Sequence, residues 1–161
     1  MTASASDIAT EERTLVITRT FGAPRELVFR MWRDPSHLLH WMGPREYPAM
    51  RVDNDFRVGG RWRIGLRSVD GTEDLWQSGI YREIEEPRKL AFTFAWEGMK
   101  GGTPPNETFV SIELEDVGGK TRMTFKQFLF DTVKNRDGHN YGWNSAFDRF
   151  DAYLETMSGT L

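Results

Sequence analysis

Two features of the sequence predict an α+β fold in which one long C-terminal helix packs on an antiparallel sheet. The first is a helical apolar period over residues 135–157, and the second is the alternation of apolar and polar side chains through most of the preceding chain. A long helix with an aromatic face must be buried, and a sheet of alternating strands offers a surface that buries it. We therefore expect a curved seven-stranded antiparallel sheet, the long helix, and two short helices after the first strand.

The predicted C-terminal helix carries its apolar residues three and four positions apart, so that they share one face. Asn135 and Asp137 are candidate N-caps, and Gly159 is a candidate stop signal. The apolar face consists of Trp143, Ala146, Phe147, Phe150, Tyr153, Leu154 and Met157. Such a face either fills a core or borders a ligand cavity between the helix and the sheet, and the pattern alone leaves both interpretations open.

The N-terminal part of the predicted domain contains one strand and two short helices. Residues 14–21 are β-branched and alternate, which predicts a strand. Pro24 suits the first position of a short amphipathic helix that ends before Asp34. Residues 36–41 are expected to form a second short helix, closed by Gly43.

Six further strands are predicted between these helices and the C-terminal helix. Asp70-Gly71 is a strong hairpin signal, and short connections between consecutive strands imply an antiparallel meander. Residues 97–106 form the longest loop, which is rich in glycine and proline and is expected to be mobile. The strands are expected at about residues 47–56, 59–67, 75–84, 90–96, 108–114 and 121–128.

Composition restricts the class of protein. A chain of 161 residues with 39% hydrophobic and 13% aromatic residues suits one domain with a sizeable core, and a net charge of −3 argues against nucleic acid as a partner. The absence of cysteine excludes disulfides and thiol catalysis and fits a reducing cytoplasm. Residues 1–12 lack the features of a signal peptide, and no apolar run is long enough for a membrane span. We expect a disordered tail over residues 1–12 and a single cytoplasmic domain over residues 13–161.

Several short motifs occur in an order that resembles a known family. They are Pro24 with Val28-Phe29, Asp34-Pro35, Trp41 with Gly43-Pro44, Gly59-Gly60 with Trp62, Asp70-Gly71, Gly79 with Tyr81 and Glu83-Ile84, Pro87 with Leu90, and Gly142-Trp143. Together they span about residues 14–157 and are similar to the START/Bet v 1-like (SRPBCC) superfamily, within it to homologues of the activator of heat-shock protein 90 ATPase. The resemblance implies a helix-grip fold with a hydrophobic cavity between the last helix and the sheet. Members bind lipids, polyketides and other apolar molecules, and some are cyclases or hydrolases.

Aromatic side chains at inward positions are the main indication of a binding site, because ligand pockets are mostly apolar with few polar groups. Gly142 lies inside the last helix, where glycine costs about 1 kcal/mol relative to alanine. A close approach of helix and sheet would explain this glycine. The candidate cavity residues are Trp41, Trp62, Trp76, Phe94, Trp96, Met123, Phe125, Trp143 and Phe147.

Metal-binding patterns are incomplete. His37 and His40 lie three residues apart with Asp34 one turn earlier, but no third ligand of suitable type is evident. Residues 53–55 resemble the start of a calcium loop, but the following residues depart from it and no glutamate closes it. His139 is expected at the surface or in packing. We therefore expect neither a metal nor another cofactor.

Charged and polar residues leave two further questions open. Arg61, Arg63 and Arg67 share one strand face, which predicts either a solvated outer face or a site for an anionic group. No catalytic triad or acid pair can be assigned by spacing. The candidate acids, bases and polar groups for the cavity are Tyr81, Glu83, Gln127 and Tyr153.

The leading hypothesis is a protein that binds a small apolar or aromatic molecule between the C-terminal helix and the sheet. A first alternative is a cyclase- or hydrolase-like enzyme that uses the same cavity, which predicts polar groups converging deep inside it. A second alternative is a chaperone-associated interaction module of the ATPase-activator kind. The expected partner is thus a small apolar molecule, with a chaperone or a second copy of the chain as further candidates.

Overall fold

The computed structural model describes residues 13–97 and 107–158, and its elements follow the predicted order. The predicted tail over residues 1–12, most of the predicted loop and the stop signal at Gly159 lie outside the described residues. The strands are β1 (Leu15–Phe21), β2 (Ala49–Asn54), β3 (Arg61–Arg67), β4 (Asp74–Glu85), β5 (Lys89–Glu97), β6 (Thr108–Val117) and β7 (Lys120–Phe128). The helices are α1 (Arg25–Arg33), α2 (Pro35–Trp41) and α3 (Val133–Ser158).

The seven strands form one antiparallel sheet in the order β1-β7-β6-β5-β4-β3-β2. Consecutive strands from β2 to β7 are neighbours, and β1 closes the order by pairing with β7. Inward residues alternate along the strands, as Trp62, Ile64 and Leu66 do on β3, and they are buried. The predicted α+β class, the curved seven-stranded sheet and the three-helix arrangement are confirmed.

Helix α3 begins before the predicted caps. Its first residue is Val133, and the Oγ1 atom of Thr132 accepts a hydrogen bond from the backbone N–H of Asn135 at 3.0 Å. Thr132 therefore supplies the N-cap, and the assignment of that role to Asn135 or Asp137 is wrong. The apolar period of the sequence did not extend to this first turn, where the side chains of residues 131–135 are exposed.

The second half of α3 packs directly on the sheet and on the two short helices. Phe150 stacks on Phe21 of β1 with ring centres 4.4 Å apart, and its ring centre lies 4.6 Å from that of Trp41. The indole of Trp41 in turn donates a hydrogen bond to the Met31 carbonyl at 2.9 Å, which joins α2 to α1. Phe147 and Phe150 are both 0% exposed, so this half of the helix belongs to a filled core.

Arg149 attaches α3 to the end of α2. Its guanidinium donates hydrogen bonds to the carbonyls of His40, Met42 and Gly43 at 3.0, 2.9 and 2.7 Å. These carbonyls lie at the C-terminus of α2, where helical hydrogen bonds end and a cation is favourable. Arg149 thereby fixes the segment that follows α2 against α3.

Within the described residues, no helix combines the length and the apolar character needed to cross a membrane.

Substitution of Phe147 tests whether this half of α3 is filled core. Phe147→Ala is expected to lower the free energy of unfolding by about 3–5 kcal/mol, because the ring is fully buried and its removal leaves a cavity. Urea denaturation followed by circular dichroism measures the change, with Val69→Ala at a 75% exposed position as the control. A loss below about 1 kcal/mol for Phe147→Ala would contradict a filled core at this position.

Candidate ligand-binding cavity

A cavity of about 640 Å³ lies between the first half of α3 and the sheet. The sheet contributes Leu66, Leu75, Gln77, Phe94 and Trp96 to its lining. The segment after α2 contributes Met42, Gly43, Pro44, Glu46 and Tyr47, and α3 contributes Lys134, Asn135, Gly138, His139, Tyr141, Gly142 and Trp143. The space thus begins where the filled part of the core ends.

Two glycines of α3 create part of this space. Gly138 and Gly142 are one turn apart and therefore share a helix face, and both line the cavity. A Cβ atom added at either position would meet no atom within 4 Å. The prediction that a close approach of helix and sheet explains Gly142 is therefore wrong. The glycines leave open space where other residues of α3 would place side chains.

Trp143 marks the inner boundary between cavity and core. Its indole Nε1 donates a hydrogen bond to Oε1 of Gln127 at 2.8 Å, and Nε2 of Gln127 donates to Oγ1 of Thr108 at 2.8 Å. The Thr108 hydroxyl then donates to the Phe94 carbonyl at 3.0 Å. This buried chain crosses strands β7, β6 and β5 and satisfies each polar group that it contains. The indole is consequently held in one position.

A second tryptophan is held by a histidine at the start of α3. Trp96 donates from Nε1 to Nε2 of His139 at 2.9 Å, and Nδ1 of His139 bonds to the Asn135 carbonyl at 2.8 Å. Because a carbonyl only accepts, Nδ1 carries the proton and Nε2 is the acceptor. Burial lowers the pKa of His139, so the ring is neutral near pH 7. The pair joins the end of β5 to the first turns of α3.

His139 was expected at the surface or in packing, but it lines the cavity. It stands four residues before Trp143, which places both on one helix face. Extending the three-four apolar period by one turn from Trp143 towards the N-terminus would have placed His139 on the cavity side of the helix. The polar character of histidine and its position near the helix start concealed this.

Two tyrosines connect the exposed edge of the cavity to neighbouring segments. Tyr141 of α3 donates its hydroxyl proton to Oε1 of Glu46 at 2.5 Å, and Tyr47 donates to Oε2 of Glu73 at 2.7 Å. The hydrogen bond from Tyr141 is the main cause that lowers the pKa of Glu46, so this carboxylate is ionised at neutral pH. Tyr141 and Glu46 thus link α3 to the segment after α2 across the cavity edge.

Gln77 is a polar residue of the inner cavity wall that the sequence did not single out. Its side chain is 3% exposed, and within the described residues its amide has no hydrogen-bond partner. Gln77 also borders a smaller space of about 20 Å³ that is lined by Trp32, Trp62 and Tyr81 among others. A polar residue at an inward position of the alternating strand 75–84 was the available signal.

The predicted cavity residues fall into four places. Phe94, Trp96 and Trp143 line the cavity, and Trp62 borders the smaller space beside it. The other predicted residues that point inward are 0% exposed and lie in the filled core. They are Trp41, Met123, Phe125 and Phe147.

Trp76 is the exception, because it lies on the opposite face of the sheet. Its neighbour Gln77 points inward, and successive side chains of a strand point to opposite faces. The Arg63 guanidinium lies 3.9 Å from the ring centre of Trp76, and Arg63 is bonded to Glu97 at 3.0 Å. Arg67 is likewise bonded to Asp74 at 2.8 Å. These arginines therefore form part of an ion-paired outer face.

The candidate acids and bases are engaged away from the larger cavity. The Tyr81 hydroxyl donates to Oδ1 of Asn54 at 2.6 Å, and Glu83 pairs with Lys89 at 3.3 Å. Gln127 belongs to the buried chain that holds Trp143. Tyr153 lies 2.7 Å from Nδ1 of His37. The four candidate groups chosen from the sequence thus do not converge on the larger cavity. The titratable groups that do line it are Glu46, Tyr47, Lys134, His139 and Tyr141.

His37 and His40 contact Tyr153 rather than a common ligand position. His40 stacks on the Tyr153 ring at 4.6 Å between centres, and His37 forms the hydrogen bond to its hydroxyl. Burial lowers the pKa of His37. In the part of the chain that the structure describes, no group of three histidine or carboxylate residues is suitably placed for a metal ion. The two histidines therefore attach α2 to α3.

A long helix held by a curved antiparallel sheet, with a largely apolar cavity between them, defines the helix-grip class of fold. The model of the family described as Activator of Hsp90 ATPase homolog 1-like protein matches residues 22–155. The chain belongs to this family, and the resemblance deduced from the ordered motifs is confirmed.

Solved structures show the same fold. A protein from Arthrobacter aurescens is 26% identical with a TM-score of 0.79, and the match covers 91% of this chain and 88% of that chain. A protein from Mycobacterium smegmatis is 25% identical with a TM-score of 0.76, covering 92% and 94%. The AHSA1 protein from Silicibacter pomeroyi is 24% identical with a TM-score of 0.79, covering 89% and 99%, a likeness that shows the fold alone. No functionally curated protein matches the chain significantly.

The half-buried His139 predicts that the free energy of unfolding depends on pH. A lowered pKa means that the folded protein binds fewer protons than the unfolded chain between the two pKa values, so stability falls as pH drops through the ordinary value of 6.5. We expect the free energy of unfolding to decrease between pH 8 and pH 5.5, by at most about 1.4 kcal/mol per pH unit for each such histidine. His139→Gln should reduce this decrease. Equal pH slopes for the two proteins, measured by urea denaturation, would contradict this role of His139.

Proposed function

We propose that the protein binds a small apolar, largely aromatic molecule in the cavity between the first half of α3 and the sheet. The observation that carries this proposal is the open space beside Gly138 and Gly142. A glycine inside a helix costs about 1 kcal/mol relative to alanine, and here no neighbouring atom requires it. A bound molecule that occupies this space accounts for both glycines.

The walls suit a flat apolar molecule. Phe94, Trp96 and Trp143 present aromatic rings, while Met42 and Leu66 add aliphatic surface. The two indole N–H groups that border the space are already bonded, to His139 and Gln127, so the rings offer apolar surface without an unpaired donor. The volume of about 640 Å³ lies in the range of pockets that hold small organic molecules.

The structure offers less support for an enzymatic activity or for association with a chaperone. A cyclase- or hydrolase-like activity needs acid and base groups that converge on the ligand. At this cavity Glu46 is bonded to Tyr141 at the exposed edge, and His139 is bonded to Trp96. Association with a chaperone is suggested by the description of the family. The outer face of the sheet, with Arg63 and Arg67 in ion pairs, presents no comparable open site for it within the described residues. Ligand binding is therefore the function that the geometry supports best.

Binding of N-phenyl-1-naphthylamine, a neutral aromatic fluorophore that brightens in apolar surroundings, tests the proposal. We expect saturable enhancement with the unmodified protein. The double variant Gly138→Leu/Gly142→Leu should bind at least about tenfold more weakly, equivalent to about 1.4 kcal/mol, because leucine side chains occupy the open space. The same variant is expected to fold, since a Cβ atom at either position meets no atom within 4 Å and leucine favours a helix over glycine.

Gly22→Leu is the matched control. A Cβ atom at Gly22 also meets nothing within 4 Å, and this residue is exposed outside the cavity. Its affinity for the fluorophore should equal that of the unmodified protein. The absence of saturable binding, or equal affinity of the double variant and the control, would contradict the proposed function.

A further inference from the structure

We propose that Gln77 is the polar recognition group of the cavity and that the natural ligand presents a ring-bound carbonyl oxygen to it. This inference rests on the proposed function and specifies the chemistry of the ligand.

Gln77 differs from Gln127 in the hydrogen bonding of its side-chain amide. Its side chain is 3% exposed on an inward position of β4, yet its amide has no hydrogen-bond partner among the described residues. Gln127, the other fully buried glutamine, uses both ends of its amide, as acceptor from Trp143 and donor to Thr108. The Gln77 amide is not among the fully enclosed unpaired groups, which are Trp32 Nε1, Arg25 Nε and Glu46 Oε2 within the described residues, so it faces the accessible space of the cavity wall. A ligand group that reaches this wall can therefore form a hydrogen bond with Gln77.

The neighbouring space indicates that the ligand group is an acceptor. Gln77 borders both the larger cavity and the smaller space of about 20 Å³. Trp32 lines that smaller space, and its buried indole N–H has no acceptor among the described residues. An indole N–H only donates, so a group that pairs with Trp32 must be an acceptor. The Gln77 amide, which carries both a donor and an acceptor, can donate to the same group from Nε2. The tyrosine of this lining, Tyr81, already donates to Asn54.

The size of the smaller space restricts the acceptor further. A volume of about 20 Å³ admits one oxygen atom but no ring. The rest of the molecule must therefore lie in the larger cavity between Phe94, Trp96 and Trp143. An apolar ring system with a carbonyl oxygen at its inner end satisfies both spaces. A lone water molecule in the smaller space is the competing occupant, and in that case a ligand carbonyl gains nothing from Gln77.

Fluorene and 9-fluorenone form a matched pair of probes, since the two flat tricyclic molecules differ in one carbonyl oxygen. Equilibrium dialysis gives the dissociation constant of each for the unmodified protein and for Gln77→Met, which keeps the length of the side chain without its polar atoms. We expect the dissociation constant of fluorene divided by that of fluorenone to be about fivefold higher in the unmodified protein than in Gln77→Met. This difference is the effect of one hydrogen bond. Ser78→Ala, at the next position on the opposite face of β4, should keep the unmodified ratio.

The infrared spectrum of bound fluorenone supplies a measurement that needs no variant. The carbonyl stretch should lie at lower wavenumber than in hexane, because a hydrogen bond weakens the C=O bond. An unchanged ratio in Gln77→Met, or a carbonyl stretch at its hexane position, would overturn the inference. Either result is compatible with saturable binding of N-phenyl-1-naphthylamine, so the proposed function and this inference fail separately.

Discussion

The hydrogen bond from the Trp143 indole to the Gln127 amide determines where the interior of this protein is filled and where it is open. Gln127 cannot move aside, because its other end is bonded to Thr108, which is bonded in turn to the Phe94 carbonyl. The hydrogen-bonded indole of Trp143 therefore lies between the backbone of α3 and three strands of the sheet. On its C-terminal side, the rings of Phe147 and Phe150 close the core. On its N-terminal side, Gly138 and Gly142 line the cavity and the space stays open.

The remaining contacts keep that space from collapsing. Arg149 binds the carbonyls at the end of α2, so the segment that forms one wall cannot drift towards the sheet. Tyr141 and Glu46 join this wall to α3 at the exposed edge, and His139 joins α3 to Trp96. Each contact acts at the perimeter, which leaves the interior lining largely apolar, with Gln77 as a polar residue of the inner wall. The cavity is thus supported by polar bonds around it rather than by packing within it.

The sequence predicted the fold because each element carries its own period. The alternation of Trp62, Ile64 and Leu66 and the three-four spacing along α3 depend on local geometry alone. The site was harder to predict, since an inward aromatic looks the same whether packing continues beyond it or not. Trp143 and Phe147 lie one turn apart on the same face, yet only Trp143 borders the cavity. Trp76 could have been placed outside by strand parity, and Gln77 inside by the same rule.

Ligands are expected to bind in the cavity that Trp96 and Trp143 line. The six tryptophans give six indole N–H signals in a ¹H–¹⁵N correlation spectrum, and they sample the cavity, the core and the outer face. Titration with N-phenyl-1-naphthylamine should shift the signals of Trp96 and Trp143 most strongly, while those of buried Trp41 and outer-face Trp76 stay nearly unchanged. A dominant shift at Trp76, or saturable binding that moves neither Trp96 nor Trp143, would contradict a binding site in this cavity.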